Sequence, residues 1–471
     1  MRLLIVEDDQ QFLEAELALL RPLLGDDEIS VRNSRDSALK AIADEVFDYA
    51  VLDLKLPSED EALDAAVEHG ILVYERLKAV SPGTPVCFLT GFGTDDFISD
   101  RLDEARAVDI WGSGADKPMV RMLRKGRLAK LHGIIQEVKS EIQSLNDIEV
   151  ISSADLDSLE SRVIRISGRR QRARSILVDP LSGGLSGMRV LKMTVRDQHG
   201  ARRHLCAARI GDRDEIRAEI VNYQQHIVNL PHGTYAVFTN EVSFGAGRLA
   251  GVFYELMPDL RSLLDVIRID VSEGVKVIER LEQAESSWTQ GRPQSQTTVV
   301  AIRRLLLSNK SLERVKTQLA GLGYEAFEPK TLQVHLGTQH GDLQAENVFV
   351  DANGIPVLID FARVGEAPAC LDPLTMEFAF VFHPKCRDVV GEWPTAKQAE
   401  NWHDLEQYAA GCPIEAVIRA VRAWAERSAD GRRALYSTAY ALALRQFKFD
   451  DTDKALAAAI VKSTIRAAEG T

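Results

Sequence analysis

The chain lacks long apolar runs and has few cysteines, and each shortage excludes a class of protein. No stretch of the 471 residues approaches the roughly 18 apolar residues that a membrane-spanning helix needs. The first apolar run, Leu3–Val6, is too short for the apolar part of a signal peptide. The five cysteines are far apart and contain no C-x-x-C pair, which argues against a disulfide framework or a zinc site. These features predict a cytoplasmic protein.

An excess of positive charge is also missing, since the formal net charge is −13. Binding to nucleic-acid phosphates requires clustered Lys and Arg side chains. Two basic clusters occur, at residues 121–130 and 169–174. Both are interpreted as solvated helix faces and a joint between domains. The charge balance therefore argues against a nucleic-acid partner.

The first 120 residues alternate short apolar runs with longer amphipathic segments. Strands are predicted at residues 3–6, 49–54, 86–89 and 108–111, and helices at residues 12–24, 34–43, 65–80 and 95–105. This alternation predicts an α/β doubly wound parallel sheet. In such sheets the loops at the carboxyl ends of the strands build the functional site.

Five polar side chains are predicted to meet at that edge of the sheet: Asp8, Asp9, Asp53, Thr90 and Lys117. Three clustered carboxylates repel one another unless a cation binds, and hard oxygen ligands suit Mg²⁺. One carboxylate can then act as a nucleophile towards a phosphoryl group. The hydroxyl and the ammonium group can neutralise the phosphoryl oxygens.

This set resembles the response-regulator receiver family, which has a flavodoxin-like fold, over about 120 residues. The resemblance implies that a histidine kinase phosphorylates Asp53, that Asp8 and Asp9 hold Mg²⁺ with Asp53, and that Thr90 and Lys117 form the switch. Two features depart from the family pattern. An acidic insertion at residues 58–69 precedes Gly70, and Gly114 stands where receivers carry an aromatic residue.

Residues 121–170 are predicted to form a helical linker. Six apolar residues repeat with alternating spacings of three and four, a coiled-coil seam: Leu128, Leu131, Ile135, Val138, Ile142 and Leu145. Two interpretations are open for this seam. Residues 128–145 either form a homodimer contact or pack on the chain's own domains. A second helix is predicted after Ser152, where residues 152–155 resemble a capping box.

From residue 171 the pattern predicts an α+β domain. Antiparallel strands are expected at residues 176–179, 190–195, 204–210, 234–241 and 249–256, with a helix at 214–227. Beyond residue 260 the chain is predicted to be mainly helical, apart from a hairpin of residues 348–350 and 357–359 around Asn353 and Gly354.

Segment 338–365 carries the second set of chemical groups. Asn347 lies five residues after Asp342, and Asp360 lies thirteen after Asn347. The predicted hairpin places Asn347 and Asp360 close together, where an amide oxygen and a carboxylate can hold Mg²⁺ on nucleotide phosphates. Asp342 is left to orient or deprotonate a hydroxyl nucleophile.

This segment, with its H-G-D-x-x-x-x-N loop and I-D-F motif, resembles the aminoglycoside and choline phosphotransferase branch of the protein-kinase-like superfamily. The resemblance covers residues 175–390 and implies a bilobal kinase-like domain. It makes Asp342 the catalytic base and Asn347 and Asp360 metal ligands, with His340 supporting the loop and Asp372 as a structural acid. Residues 344–346 depart from the family, since Gln-Ala-Glu replaces the common His-Pro-Gly.

The resemblance also implies a nucleotide site for ATP. Its predicted members are Gly183, Gly184, Gly187, Arg209, Glu219, Glu255 and Met257. The three glycines allow backbone N–H groups to approach phosphates. Arg209 stands where the family has a Lys paired with a helix Glu, here Glu219, and this change is not conservative. Glu255 and Met257 occupy the hinge that meets adenine.

The combined prediction is a bacterial-type two-component response regulator with Mg²⁺ and ATP as cofactors. Its predicted parts are a receiver domain (1–120), a helical linker (121–170), a kinase-like N-lobe (171–258) and a mainly helical C-lobe (259–471). Phosphorylation of Asp53 controls transfer of the ATP γ-phosphoryl group to a hydroxyl-bearing substrate, either a small molecule or a protein. The alternative is a pseudokinase scaffold that binds nucleotide or a partner protein without catalysis, which the arginine at position 209 favours.

Overall fold

A computed structural model describes residues 1–25, 28–91, 107–182, 189–291 and 294–470. The strands are β1 Leu3–Val6, β2 Ile29–Arg32, β3 Tyr49–Leu52, β4 Val86–Thr90, β5 Ala107–Val108, β6 Lys117–Pro118, β7 Val120–Arg124, β8 Glu149–Ser152, β9 Ser175–Ser182, β10 Arg189–Arg196, β11 Arg202–Asp212, β12 Val237–Val242, β13 Leu249–Glu255, β14 Arg261–Ser262, β15 Gln294–Thr298, β16 Thr331–Gln339, β17 Val348–Val350, β18 Pro356–Leu358 and β19 Gly365–Pro368.

The α-helices are α1 Gln10–Leu20, α2 Arg35–Asp44, α3 Val67–Val80, α4 Leu128–Asn146, α5 Ser158–Arg170, α6 Arg213–Gln225, α7 Leu263–Ile269, α8 Val271–Thr289, α9 Val299–Leu306, α10 Asn309–Val315, α11 Tyr324–Phe327, α12 Leu371–Phe382, α13 Arg387–Val390, α14 Ala396–Glu400, α15 Leu405–Ala409, α16 Glu415–Ser428, α17 Gly431–Arg445 and α18 Lys454–Glu469. The helix predicted at residues 95–105 lies outside the described residues. Within the described ranges, no helix is both long and apolar enough to cross a membrane.

The N-terminal sheet is parallel and has the strand order β2-β1-β3-β4-β7. This topology confirms the predicted doubly wound receiver fold. The residues of β1, β3 and β4 are buried throughout, as expected for strands covered on both faces. Strand β2 is half-buried at the sheet edge, and its weaker apolar pattern explains why it was not predicted.

The fifth strand of this sheet lies later in the chain than predicted. It is β7, Val120–Arg124, which pairs with β4. The prediction of a strand at residues 108–111 was wrong, since Ala107–Val108 forms a two-residue strand that pairs with Lys117–Pro118 outside the sheet. The receiver sheet therefore continues past the predicted domain boundary at residue 120.

Helix α4 contains the predicted seam. The seam residues from Leu131 to Leu145 are at most 6% exposed. They belong to one apolar cluster with receiver residues such as Ile5 and residues of the next sheet such as Met193. The seam thus packs on the chain's own domains, the second of the two interpretations. Helix α5 begins at a capping box of Asp157 and Glu160, five residues after the predicted one.

The second sheet has the order β12-β13-β11-β10-β9-β8. It is antiparallel apart from β8, which pairs with β9 in parallel. From residue 257 the chain is mainly helical and contains two three-stranded sheets, β14-β17-β18 and β15-β16-β19. The predicted hairpin is formed by β17 and β18. An antiparallel sheet followed by a mainly helical part confirms the predicted α+β fold class of this region.

The chain divides into two compact units. One contains residues 1–217 and 237–256, which include the receiver sheet, α4, α5 and the second sheet. The other contains residues 218–236 and the chain from residue 257 onward.

Candidate functional site

Three carboxyl groups meet at the carboxyl end of the receiver sheet. Glu7 and Asp8 follow β1 directly, and Asp53 follows β3. One oxygen from each lies within 4.8 Å of the others. Asp53 is 6% exposed, and its Oδ1 accepts a hydrogen bond from the Leu54 backbone N–H at 2.7 Å. An all-carboxylate oxygen set of this kind fits Mg²⁺.

The cation at this cluster is Lys125. Its Nζ lies 2.6 Å from Glu7 Oε1 and 2.8 Å from Asp53 Oδ2. Lys117, which was predicted to take this place, forms an ion pair with Glu137 of α4. The physical reason is the position of the fifth strand. Because β7 ends at Arg124, the next side chain along, that of Lys125, emerges at the carboxyl end of the sheet.

The predicted acidic pair is also displaced by one residue. Asp9 is the N-cap of α1, where its Oδ1 accepts hydrogen bonds from the backbone N–H groups of Gln11 and Phe12, each at 3.1 Å. Glu7 joins the cluster in its place, since β1 ends at Val6. Thr90 ends β4 as predicted and is 4% exposed.

Burial sets the electrostatics of the receiver cluster. It raises the pKa of Glu7 to about 7, against the opposing hydrogen bond from Lys125. Burial likewise raises the pKa of Asp8. Behind the cluster, Glu16 of α1 is 0% exposed, and burial together with the charge of Glu7 raises its pKa to about 8. The cluster therefore holds more acid than one lysine neutralises, which favours a divalent cation.

The acidic insertion at residues 58–69 lies beside Asp53, the predicted phosphoacceptor. Asp60 Oδ1 accepts hydrogen bonds from Ser34 Oγ at 2.6 Å and Ser37 Oγ at 3.1 Å, which ties the insertion to the start of α2. Gly70 follows it, and a Cβ there would lie 2.3 Å from the Leu54 carbonyl oxygen. Only glycine allows α3 to approach the loop after Asp53 so closely.

The second site is the loop that follows β16. Asp372 of α12 accepts hydrogen bonds from the backbone N–H groups of His340 at 2.5 Å and Gly341 at 2.9 Å. The His340 ring contacts the Ile359 carbonyl oxygen through Nε2 at 2.9 Å. Both residues hold the backbone of the loop, which fits the supporting roles predicted for His340 and Asp372.

The three predicted catalytic residues are brought together by this loop and the hairpin. Asn347 donates from Nδ2 to the Asp342 carbonyl oxygen at 2.9 Å, which leaves its amide oxygen for another partner. The Asn347 carbonyl oxygen accepts from the Ile359 N–H at 3.1 Å, next to Asp360. Asp360 has a φ of 66°, in the left-handed region where a side chain other than glycine is strained. An amide oxygen and a carboxylate are suitable ligands for Mg²⁺.

Asp372, a second buried acid on α8 and an arginine on α17 set the charge around the loop. Burial raises the pKa of Asp372 to about 7, although the N–H groups of His340 and Gly341 oppose the shift. Burial also raises the pKa of Glu285, on α8, with a contribution from the charge of Asp372. Arg445, at the end of α17, lies with Nη2 3.6 Å from Asp342 Oδ1. No signal near the motif indicates Arg445, because it lies about a hundred residues further along the chain.

The residues predicted to bind nucleotide are distributed over several elements. Arg209 is 4% exposed on β11, in register with Val190 and Val252 on the neighbouring strands. Glu219 is buried on α6. Glu255 ends β13, and Met257 is 44% exposed. Gly183, Gly184 and Gly187 lie outside the described residues.

No family model matches the chain, and no curated protein matches it. Among solved structures, a CheY-like response regulator receiver domain protein from Methanospirillum hungatei JF-1 is 22% identical, with a TM-score of 0.22, and the match covers 30% of this chain and 97% of that chain. A thermostable mutant of aminoglycoside phosphotransferase APH(4)-Ia, in a ternary complex with ADP and hygromycin B, is 15% identical, with a TM-score of 0.35. That match covers 62% of this chain and 95% of the other.

A type VIII aminoglycoside-3'-phosphotransferase is 16% identical, with a TM-score of 0.34, over 66% of this chain and 100% of that chain.

Proposed function

We propose that the chain is a two-component response regulator in which phosphorylation of Asp53 by a histidine kinase controls a kinase-like phosphotransferase domain. That domain transfers the γ-phosphoryl group of ATP to a hydroxyl acceptor. The observation that carries the proposal is the grouping of Asp342, Asn347 and Asp360 in one loop and hairpin whose backbone is fixed by Asp372. The base and the two metal ligands that a kinase uses are all present there.

Each side chain has a role in the proposed reaction. Asp342 accepts a hydrogen bond from the acceptor hydroxyl and takes its proton as the oxygen becomes a nucleophile. Asn347 and Asp360 would hold Mg²⁺, which neutralises charge on the nucleotide phosphates when it is bound. His340 and Asp372 keep the loop in place without contacting substrate.

In the receiver, Asp53 is the nucleophile towards the phosphoryl group of the histidine kinase. Glu7 and Asp8 would hold Mg²⁺ together with Asp53. Lys125, rather than Lys117, neutralises the phosphoryl oxygens, because its ammonium group already contacts Asp53. Thr90 supplies the hydroxyl.

The packing within the first unit supports a coupling between the receiver and the second sheet. Gly83 of the receiver donates its N–H to the Gly247 carbonyl oxygen at 2.9 Å, and the Gly245 N–H donates to the Gly83 carbonyl oxygen at 3.0 Å. Arg170 of α5 donates to the Asp109 carbonyl oxygen at 2.8 Å. Lys125 lies at the start of the 3-10 turn that leads into α4. Modification of Asp53 would therefore act on an element packed against both sheets.

The experiment is ATP consumption by the full-length protein with Mg²⁺, with and without beryllofluoride on the receiver. Turnover that is lost in Asp360→Ala would establish an ATP-consuming enzyme that uses this site. A change on beryllofluoride addition that is absent in Asp53→Ala would establish the coupling. ATP consumption that is equal in wild type and Asp360→Ala would contradict the catalytic assignment.

A second candidate is a pseudokinase that binds nucleotide or a partner protein and relays receiver phosphorylation. The observation that favours it is the buried Arg209, at the position where the kinase-like family has a lysine. Metal-dependent ATP binding without turnover, across a broad set of hydroxyl acceptors, would support this candidate over the first.

A further inference from the structure

Arg445 is a buried arginine beside the proposed catalytic base. It is the last residue of α17, and its side chain is 10% exposed. Its guanidinium lies 3.6 Å from Asp342 Oδ1, beyond the length of a good hydrogen bond. The ring of Phe449 lies 5.7 Å from its central carbon. Asp342 itself is partly exposed, with 25% of its side chain accessible, so solvent or a ligand can reach the carboxylate that this arginine contacts.

Two other buried arginines in the same unit show what a structural arginine looks like here. Arg303 donates to both carboxylate oxygens of Glu328 at 2.8 and 2.9 Å. Arg422 donates to both oxygens of Glu377 at 2.7 and 2.5 Å. Each also donates to a backbone carbonyl oxygen. Paired forks of this kind are the usual way to bury a guanidinium.

Arg445 lacks such a pairing. Among the described residues, the 3.6 Å contact with Asp342 is the one ion pair that it forms. A guanidinium has five N–H donors, and buried donors are nearly always satisfied. Burial lowers the pKa of Arg445, which reflects the hydration that its charge has lost. The exposed Arg363, three residues after Asp360, adds charge of the same sign nearby.

We propose that Arg445 binds an anionic group of the acceptor, so that the substrate is a hydroxyl compound carrying a carboxylate or a phosphate. The inference rests on the proposed phosphotransferase function. The guanidinium fork would take two oxygens of the anionic group and hold the acceptor hydroxyl at Asp342. The hydroxyl O–H bond breaks, and its proton moves to the Asp342 carboxylate. The oxygen bonds to the γ-phosphorus of ATP, and the bond from that phosphorus to the bridging oxygen breaks, releasing ADP.

The first test compares acceptors that share a carbon skeleton and carry different charges. D-glucuronate has a carboxylate in place of the 6-hydroxymethyl group of D-glucose, and D-glucosamine has an ammonium group in place of its 2-hydroxyl. D-glycerate and glycerol form a smaller pair of the same kind. We expect the full-length protein to phosphorylate acidic members with a kcat/KM at least about tenfold above their neutral counterparts. In Arg445→Gln the KM for the acidic members should rise roughly 10- to 100-fold, and the preference over neutral members should disappear. Arg445→Lys, which keeps the charge and loses the fork, should give an intermediate value.

The matched control is Arg433→Gln, which removes an exposed arginine from the same helix. It should leave the preference unchanged. A higher kcat/KM for a neutral or cationic acceptor than for an acidic one would overturn the inference. An equal loss of kcat/KM for all acceptors in Arg445→Gln would overturn it as well.

The second test does not depend on turnover and uses inorganic sulfate as the probe. Sulfate binding is measured by calorimetry on the wild type, Arg445→Gln and Arg433→Gln at constant ionic strength. We expect binding to weaken at least about tenfold in Arg445→Gln alone. Binding that is equal in all three proteins overturns the inference, whatever the acceptors show. If sulfate binding depended on Arg445 but no acceptor caused the protein to consume ATP, the proposed phosphotransfer would be contradicted. The anion site at Arg445 would still be supported.

Discussion

The receiver cluster and the proposed catalytic loop, residues 340–347, are both acidic sites, but different forces hold them together. In the receiver, Glu7, Asp8 and Asp53 bring oxygens within 4.8 Å, and Lys125 balances part of their charge. In the catalytic loop, the side chains are positioned by backbone hydrogen bonds to Asp372 and by the β17–β18 hairpin. The receiver site should therefore respond most to changes of charge, and the catalytic loop to changes of backbone conformation as well as to loss of its base.

The largest effect should come from removing the proposed base. Asp342→Asn keeps the size of the side chain and its place in the loop but cannot take a proton. We expect kcat for phosphotransfer to fall by roughly 10²- to 10⁴-fold, since general-base catalysis contributes about that much. ATP binding, measured by calorimetry, should change little, because Asn347 and Asp360 are intact. Wild-type turnover in Asp342→Asn would show that Asp342 is not the catalytic base.

The next effect separates the two lysines of the receiver. Lys125→Ala removes the ammonium group from Glu7 and Asp53, so we expect phosphorylation of Asp53 by acetyl phosphate to slow by on the order of 10²-fold. Lys117→Ala, the matched control, removes an ion pair with Glu137 of α4 and should slow the reaction less than about threefold. Phosphate-affinity gels follow both rates. If Lys117→Ala slowed phosphorylation more than Lys125→Ala, Lys117 would be the lysine that neutralises the phosphoryl oxygens.

The same contrast explains what the sequence could and could not predict. Asp342, Asn347 and Asp360 lie within one segment of 28 residues, and a local hairpin brings them together. The local sequence pattern was therefore sufficient to predict that these three residues come together. The receiver site is assembled from three distant segments, so each member depends on where a strand ends. The position of the last strand therefore decides which lysine lies beside Asp53, and the structure places Lys125 there while Lys117 pairs with Glu137.

The wrong prediction of the last strand has a physical origin in the composition of β7. Two arginines, Arg121 and Arg124, interrupt its apolar residues, so it looked like part of a basic helix. Its pairing with β4, which decides the structure, is a long-range contact that local pattern does not show. The position of Arg445 could not be predicted for a similar reason, because only the tertiary fold brings α17 to Asp342. Likewise, the spacing of apolar residues at 128–145 predicted a helix but did not identify which part of the protein packs on its apolar face.

A smaller effect should follow from a backbone change in the catalytic loop. Gly341 has a φ of 75°, and a Cβ there would lie 2.4 Å from the Arg363 carbonyl oxygen. We expect Gly341→Ala to lower the free energy of unfolding by about 2–3 kcal/mol, measured by urea denaturation, and to reduce turnover through displacement of the loop. Gly365→Ala is the control, since a Cβ at Gly365 meets no atom within 4 Å. Equal effects of the two substitutions would contradict a loop held by its backbone.

The smallest effect concerns charge behind the receiver cluster. Glu16 stays protonated in the folded protein up to its raised pKa of about 8, while its ordinary value is 4.5. Between these values the folded state binds more protons than the unfolded state, so this residue makes the free energy of unfolding fall as the pH rises. Glu16→Gln removes that contribution. We expect the variant to match the wild type near pH 5 and to exceed its free energy of unfolding by about 2 kcal/mol near pH 6.5, since each pH unit in this interval changes the free energy by about 1.4 kcal/mol. Urea denaturation across this range measures the difference, with the exposed Glu14→Gln on the same helix as the control. If the free energy of unfolding of Glu16→Gln changed with pH in parallel with that of the wild type, the Glu16 carboxylate would already be charged at neutral pH. Burial would then not keep this acid neutral behind the receiver cluster, and the proposed contrast in charge between the two sites would fail.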